Sequence, residues 1–566
     1  MIRLEDMDTK EELIKDFFTW LFDDMCIKNK SVSLHKEIDI SLAPYYTDPN
    51  IYFPKQIADF FETRAMKRLG RISQLALAND IYPNIYHNRL EHSKGVYYRK
   101  LEEFLYNYQN LEWRKKIEKN NQKIYLLADL IKMAGHDIGH LPLSHLMEIE
   151  IFSYRGAHED IGKRIMLEDQ EIQTLLQKIS PELPDVLRSL YENHIMNFRE
   201  HDESSYDVDR LDYITRDFLY FGSPSYFPYT RYETIPVEVD SSGKPKEQED
   251  NSIRVCDKSS YYIDVYDETS LEEIEDFLRL RLKGYEKIYS APLVAAHEMT
   301  VSTFFHALKT HQSECSSNLQ NLVTRFRRQG INNINLDEFL NWDDITLYSE
   351  ILNIAEMHND KNIRDLATMT IPSMEAFLNL IYSHLQVNSK SNEKYTTTDL
   401  DFLRKIKHLI KSNSELSLAL RDPSYTDNNI ILFNNGIQIP KLKSSTCNSD
   451  NIFHSYQLHK KAYNQNEPIY IRDSTGKIFE LSKHPQRRYN FNDLSINFEC
   501  CFGYIPYLRL CGISEGEIEN LRKSSTKLIT CHPDNSATYK SQINMQPLKV
   551  GNNIEHHFLK INTEER

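Results

Sequence analysis

Residues 123–140 read KIYLLADLIKMAGHDIGH, and the step from an apolar run into Gly135-His136-Asp137-Ile138-Gly139-His140 decides the architecture. The run at 123–134 is apolar on nearly every side, which predicts the most buried helix of the chain. Adjacent His and Asp side chains cannot share one helical face squarely. Both can reach a single ion at the helix end, where the backbone is looser. Imidazole brings a neutral nitrogen and carboxylate brings charge, a mixture suited to Mn, Fe, Co, Ni or Zn. A bridging carboxylate would suit two ions. His140 follows His136 by four residues and faces the same pocket if the turn between them is helical.

Two further segments offer donors. His92 follows Asn88-Arg89-Leu90-Glu91, and Asp209 lies in DVDRLDY, residues 207–213. With His136 and Asp137 they make two histidines and two carboxylates from separated helices, a set that a helix bundle can close around metal. Each also has an ordinary use, His92 as a helix-surface histidine and Asp209 as a first-turn acid favoured by the helix dipole. Arg89 lies on the same helical side as His92, where a guanidinium can grip phosphate oxygens in bidentate fashion. Asp209, Tyr213 and Asp217 are spaced by four and form a stripe along one face, on which Tyr213 serves equally well as core filling.

The whole chain has 566 residues, with Lys plus Arg 68 against Asp plus Glu 83, a net charge of −15. Hydrophobic residues make up 40% and charged residues 27%, which excludes wholesale disorder and collagen. The acidic balance argues against a general nucleic-acid coat protein, so nucleic acid is not a favoured partner. It does not exclude an anionic substrate, because a bound metal reverses the local field. Eight cysteines without a CxxC pair are too sparse for a disulfide scaffold. No apolar stretch approaches a membrane span and the first residues are polar, so the expectation is a cytoplasmic protein with no membrane partner. The sequence has no GxxxxGK[ST] and no GxGxxG, which argues against an ATP-driven motor or a dinucleotide enzyme.

Patterning divides the chain. Thr9-x-x-Glu12 has capping-box spacing and predicts the start of a first helix. Apolar residues at three-and-four spacing predict a second helix from Pro54 to Leu75. Ser270-x-x-Glu273 caps another. TIPVEV, SIRVC and YYIDVY, between 233 and 267, read as a small β excursion within a helical body. Helical patterning resumes from 271 to about 420, broken by a polar loop at 388–399. Asn435-Gly436 and YIRDSTGKIFEL at 470–481 read as hairpins, separated by a linker at 441–452. The expected units are a helical extension over 1–50, a core over 51–350, a second helical extension over 351–440 and a mixed α/β region over 441–566.

RISQL (71–75), HNRLEHSKG (87–95), AGHDIGHLPLSH (134–145), AHEDIG (157–162) and DVDRLDYITRD (207–217), in this order and spacing, resemble the HD-domain phosphohydrolases. Within them, the chain is most similar to the branch of the SAM-and-HD-domain deoxynucleoside triphosphate triphosphohydrolase and the bacterial dGTPase-like proteins. The resemblance covers residues 50–350 or so and leaves the far C-terminus unmatched. With the patterning above, the expected fold class is mainly α: an HD-domain helical core, a small β insertion and a mixed α/β C-terminal region.

The resemblance implies metal-dependent hydrolysis of deoxynucleoside triphosphates to deoxynucleoside and inorganic triphosphate. It implies a divalent transition metal on His92, His136, Asp137 and Asp209, with a second ion such as Mg alongside. It assigns His140 to phosphate or to positioning water. It groups His145, Glu148 and His158, a histidine near the leaving oxygen oriented through a carboxylate, and a buried acid favours the protonated ring. Duller roles for the three are a surface pair and a helix cap. Gln74 would meet the sugar 3′-hydroxyl, Tyr213 would pack against the sugar and Asp217 would contact its 3′ side. Arg210 stands where the family has a lysine. Glu62 falls where an aspartate recognises an activating guanine nucleotide, though it serves equally as a solvated helix residue. A homo-oligomer follows by analogy. Two alternatives keep the same residues: an HD-type nucleotide phosphatase, phosphodiesterase or nuclease, and a catalytically silent, nucleotide-responsive interaction protein. The chain departs from the family pattern at Ala76-Leu77-Ala78-Asn79-Asp80, where glycines are usual, and at SLAPYYTDPNIYF (41–53).

Overall fold

The apolar run becomes the helix Lys123–Ala134, with Leu126, Leu127, Ala128, Leu130, Ile131 and Ala134 at 1% exposure or less. It is wedged between the helices Arg89–Tyr108 and Leu183–Glu192, also touching Met7–Asp23. The computed structural model of the chain describes residues 7–23, 32–371, 430–434 and 453–524, apart from breaks at 40, 43–48, 83, 120–121, 193–205, 226, 228–231, 242–243, 257–260, 312–317, 464–467 and 492–493. The expected loop at 388–399, the Asn435-Gly436 hairpin and the linker at 441–452 lie outside the described residues. The architecture is the expected one: a largely helical core, a small β insertion and a mixed α/β C-terminal region.

Two expected helices differ in detail. The first runs Met7–Asp23, so Thr9 lies inside it rather than at its cap. Its Phe17, Phe18, Leu21 and Phe22 enter the main core. The helix expected from Pro54 to Leu75 is interrupted. Lys55–Phe61 ends, Thr63 turns to an extended conformation with its hydroxyl donating to the Phe60 carbonyl at 2.8 Å, and Arg64–Leu69 follows. The chain then turns from Gly70 to Leu77. The break aims Arg68 into the interior, where it donates to the carbonyls of Trp342 (2.8 Å) and His140 (2.6 Å). Apolar spacing alone cannot register such a bend, because both halves keep the same face inward.

Of the three β-rich stretches in the excursion, two form strands. Tyr232–Pro236 pairs antiparallel with Tyr262–Asp267. SIRVC contributes isolated bridges, among them Val237 to Val255 and Ser252 to Phe479. The 470–481 stretch forms the expected hairpin, Tyr470–Arg472 with Ile478–Glu480, and Asp473 Oδ1 accepts from the backbone N–H groups of Thr475 and Lys477 in its turn. This hairpin joins the excursion: Tyr470–Arg472 lies parallel to Tyr262–Asp267, giving a four-stranded sheet. A second sheet orders Ile430–Asn434, Ser495–Tyr504 and His454–Lys461. Arg488 ties this region to the helix Leu271–Gly284 through Glu275, Glu272 and Asp276. Among the described residues no helix is long and apolar enough to cross a membrane.

Candidate functional site

The two helices that carry His92 and Asp209 each begin with a side-chain cap. Asn88 Oδ1 accepts from the N–H groups of Leu90 and Glu91, starting Arg89–Tyr108. Asp207 Oδ1 accepts from Arg210 N–H at 2.7 Å, starting Val208–Tyr220. Capping therefore places both candidate ligands in a first turn, at the same end of two packed helices. The buried helix supplies the rest by ending: Lys123–Ala134 stops at Gly135, and residues 135–139 form turns.

These ends converge. His92 Nε2 lies 2.9 Å from Asp209 Oδ1, and His136 Nε2 lies 3.4 Å from the same oxygen. Asp137 completes the group, with Oδ1 3.4 Å from His136 Nε2 and Oδ2 3.7 Å from His92 Nε2. Each ring is held by its far nitrogen. His136 Nδ1 meets the Met133 carbonyl at 2.9 Å and His92 Nδ1 meets Asp212 Oδ2 at 2.8 Å, so both Nε2 atoms face inward. His136 Nε2 is buried and makes no hydrogen bond, although two carboxylate oxygens stand 3.4 Å away. Two imidazole nitrogens and two carboxylates converging on an unsatisfied buried nitrogen fit a divalent transition metal.

The electrostatics point the same way. Burial would lower His92, but hydrogen bonds with Asp209 and Asp212 push it up to about 10. Burial likewise opposes a charged His136, and the charges of Asp137 and Asp209 raise it. Burial would raise Asp137, yet the Arg89 guanidinium and the neighbouring histidines hold it well below the usual carboxylate range. The pocket attracts positive charge.

Behind His92 stands a buried network that sequence reasoning missed. Asp212 is gripped by Arg216 through Nε at 3.0 Å and Nη2 at 2.9 Å, and Arg216 also holds Asp39 at 3.0 and 2.8 Å. Gly95 makes room for it: a Cβ there would lie 1.9 Å from Asp212 Oδ1 and 2.3 Å from Arg216 Nη2. The spacing of Asp212 and Arg216 by four, and a glycine within a helical pattern, were the available signals. Gly139 does the same for the turn, since its Cβ would meet His158 O at 2.1 Å on the helix Ala157–Glu168.

A second cluster adjoins the first. Glu148 is fully buried, and its Oε1 faces His158 Nδ1 (2.8 Å), His145 Nδ1 (3.4 Å) and His140 Nδ1 (3.5 Å). Its Oε2 accepts from Gly156 N–H at 2.8 Å. His140 and His158 stack with centroids 3.9 Å apart, and His140 Nε2 reaches Asp137 Oδ1 at 3.1 Å, linking the clusters. The turn at 135–139 is not helical, so His140 reaches the pocket through that turn rather than by an i, i+4 placement. The expectation that the acid keeps the rings protonated is corrected for two of them. Burial, with the nearby charges of Arg89 and His158, takes His140 well below its ordinary value. Burial also lowers His145 against the pull of Glu148.

The expected substrate residues lie around this pair of clusters, most of them engaged. Arg89 pairs with Asp137, donates to Ser144 Oγ at 2.9 Å and reaches the Gln74 carbonyl at 3.4 Å, so here it positions a candidate ligand. Gln74 Oε1 is buried without a hydrogen-bond partner. Arg210 pairs with its own cap residue, Asp207. Tyr213 presents its ring 6.5 Å from that of His92. Asp217 is fully buried, with one oxygen at 2.7 Å from His87 Nε2 and the other accepting from Tyr289 Oη at 2.8 Å; both partners were missed. Glu62 is exposed at a helix end and pairs with Lys67 at 2.7 Å.

The loops that carry these residues share one clamp. Asp344 accepts from Ser73 N–H and from Leu143 N–H, each at 2.8 Å, and Asp343 pairs with Arg71 at 2.6 Å. Leu143 and Ser144 both have positive φ (53° and 52°), a strained pair just before His145.

No family model matches the chain. It is 26% identical over 374 residues to the Mycoplasma genitalium protein MG461, a match covering 62% of this chain and 79% of that one. It is 27% identical over 201 residues to a Dictyostelium discoideum deoxynucleoside triphosphate triphosphohydrolase SAMHD1 homolog, covering 33% of this chain and 38% of that protein. Among solved structures, a phosphohydrolase from Bacteroides thetaiotaomicron shares the fold, with a TM-score of 0.50 at 19% identity, covering 83% of this chain and 100% of that one. The chain is thus similar in sequence to these proteins and in fold to that phosphohydrolase, and it gathers histidine and carboxylate donors at its helix ends.

Proposed function

We propose that the chain is a metal-dependent HD-type hydrolase of nucleotides, and that its reaction is the release of inorganic triphosphate from deoxynucleoside triphosphates. The observation that carries this reading is the convergence of His92, His136 and Asp209, with Asp137 beside them, on one point. The resemblance to the triphosphohydrolase branch and the Dictyostelium relative support the narrower reaction. When bound, a divalent cation supplies Lewis-acid polarisation of a phosphoryl oxygen and acidifies water.

The rest falls to this chain's own side chains. Water oxygen bonds to the α-phosphorus, the bond from phosphorus to the 5′ oxygen breaks, and that oxygen takes a proton. His158, whose Nδ1 lies 2.8 Å from Glu148 Oε1, stands where such a proton can be held and delivered, with His140 and His145 facing the same carboxylate. Arg89 fixes Asp137. Tyr213 offers its ring to the sugar, and Gln74 Oε1, buried and unsatisfied, offers an acceptor to a sugar hydroxyl.

The test is to incubate metal-reconstituted protein with the four dNTPs and four NTPs, singly and mixed, and identify every product. Triphosphate and deoxynucleoside are expected. Orthophosphate would replace this reaction with a phosphatase, and shortened oligonucleotides from a nucleic-acid substrate would replace it with a nuclease. Binding without turnover for any of Mn, Fe, Co, Ni or Mg would reject catalysis. Asp137→Ala is expected to lose metal and activity together, whereas Tyr213→Ala keeps its metal and loses sugar discrimination.

A further inference from the structure

The strand Leu34–Ile38 ends with the burial order reversed. Ile38 is 63% exposed, whereas the next side chain, Asp39, is buried at 7%. An isoleucine outside and a carboxylate inside is the opposite of the usual arrangement, so the acid is held by a partner in the interior. That partner is Arg216, which donates to both Asp39 oxygens. Asp39 Oδ1 also accepts from the N–H and the hydroxyl of Ser41, each at 2.8 Å. The ribbon that this strand forms with Asn50–Pro54 is pinned to the helix carrying His92 by Glu37, which pairs with Lys94 at 2.6 Å.

Asp39, Arg216, Asp212 and His92 therefore stand in series, each at 7% exposure or less. Asp212 Oδ2 serves two neighbours at once, His92 Nδ1 and Arg216 Nε. A single carboxylate balances a single guanidinium, and the pair of Asp212 and Arg216 is already closed by two hydrogen bonds. Burying a second carboxylate adds a desolvation cost, which packing alone does not explain. What the second charge changes is Asp212. Facing Asp212 alone, the guanidinium would draw that carboxylate's charge to itself and leave a poor acceptor for the His92 ring. With Asp39 on the far side of Arg216, the two acids and one base keep a net negative charge behind His92. An imidazole whose far nitrogen meets a strong acceptor is oriented by it and is the better donor to a cation.

We propose that Asp39, on the strand pair ahead of the helical core, is a positioning residue of the metal centre: by sharing Arg216 it leaves Asp212 free to hold the His92 ring, and so sets the affinity for a divalent cation. This rests on the reading of His92, His136, Asp137 and Asp209 as the donors of a metal-dependent hydrolase, and it deepens that reading by carrying the support of the centre to a residue distant from it in the chain.

The experiment titrates the full metal-free chain with manganese(II) and reads binding by calorimetry, with the unfolding midpoint and nucleotide turnover measured beside it. Asp39→Asn keeps the shape and removes the charge, and manganese affinity is expected to fall about tenfold, the lower end of what losing an outer partner of a metal ligand costs. Asp39→Glu restores the charge at a shifted position and is expected to lose only about threefold, half of that loss on a free-energy scale. Should Asp39→Asn not fold, the threefold loss in Asp39→Glu carries the test, and no loss there overturns the proposal. In an Asp212→Asn background the link to His92 is already cut, so adding Asp39→Asn should leave the affinity where Asp212→Asn put it. Ile172→Val, in the core on the helix Gln170–Ile179, is the control; it lowers the unfolding midpoint and leaves manganese affinity unchanged. An Asp39 that only braces the fold would behave as this control does, which overturns the proposal. Losses that add in the double variant overturn it too, as does an unsubstituted chain that binds no manganese. Affinity that depends on Asp39, in a protein that hydrolyses no nucleotide, leaves this inference standing and removes the proposed activity. Turnover in a protein whose affinity is indifferent to Asp39 does the reverse.

Discussion

Replacing Gly95 by alanine sets two effects of opposite sign against each other. Gly95 lies within the helix Arg89–Tyr108, where alanine is intrinsically better by about 1 kcal/mol. Its new Cβ, however, would stand 1.9 Å from Asp212 Oδ1 and 2.3 Å from Arg216 Nη2. Neither neighbour can swing into solvent, since their side chains are 4% and 2% exposed. Relief requires the Asp212–Arg216 pair to open or the two helices to part. Overpacking costs about 1–3 kcal/mol and opening a buried pair about 3–5 kcal/mol. The expected outcome is a net loss of about 3 kcal/mol or more in denaturant unfolding. Displacing Asp212 also frees His92 Nδ1, and loss of such an outer partner weakens metal affinity about 10–100-fold. Gly516→Ala, at an exposed helical glycine with nothing within 4 Å of the added carbon, is the control and should hold or gain stability. A Gly95→Ala protein that unfolds no earlier than the original and titrates the same metal with the same affinity would refute the reasoning.

Glu148→Gln keeps shape and removes the charge that three histidines face; turnover should fall about 100-fold or more with metal content unchanged, and equal turnover would clear Glu148 of any part in proton delivery. The same variant carries a pH signature. Burial would raise Glu148, but hydrogen bonds from His145 and His158 hold it well below its ordinary 4.5, so its contribution to stability is present above pH 4.5 and lost as pH falls through the folded value. Acid titration of stability should therefore be shallower below pH 4.5 in Glu148→Gln than in the unsubstituted chain. Asp344→Ala strands the N–H groups of Ser73 and Leu143, each costing about 1–3 kcal/mol, and should lower the unfolding midpoint while raising KM, read by denaturation and steady-state kinetics. Chelation should lower the unfolding free energy by about 2.7 kcal/mol relative to metal held at 100 times its dissociation constant, and an unchanged midpoint would argue that no ion binds the folded state.

How much of this was legible in the sequence depended on whether the signal was local. The buried helix at 123–134 announces itself by composition, and the hairpin at 470–481 by its turn residues. The residues His92, His136, Asp137 and Asp209 could be grouped because they are donor types on separated helices and because the order of their motifs resembles a known family. The supports could not be found that way. Asp39 reaches Arg216 across the molecule, and Asp344 reaches Ser73 and Leu143, with no pattern in the sequence joining them. The commitment of Arg89 to Asp137 and Ser144 was equally hidden, because helical phase shows which side a guanidinium takes but not whether a carboxylate already waits there. The protonation of His140 turned on burial, which no single dipeptide reports.

The parallel pairing of Val265 with Tyr470 bears on how the molecule is made. During translation the strand Tyr262–Asp267 leaves the ribosome well before its neighbour Tyr470–Arg472 has been synthesised. In the interval one row of its N–H and C=O groups has no partner, the condition under which nascent strands stick to strangers. A message truncated between the codons for Asp267 and Tyr470 would yield a polypeptide that has every candidate metal ligand and still carries an open sheet edge. Loss of the C-terminal coding region should show first as insolubility and chaperone retention, before any question of chemistry arises.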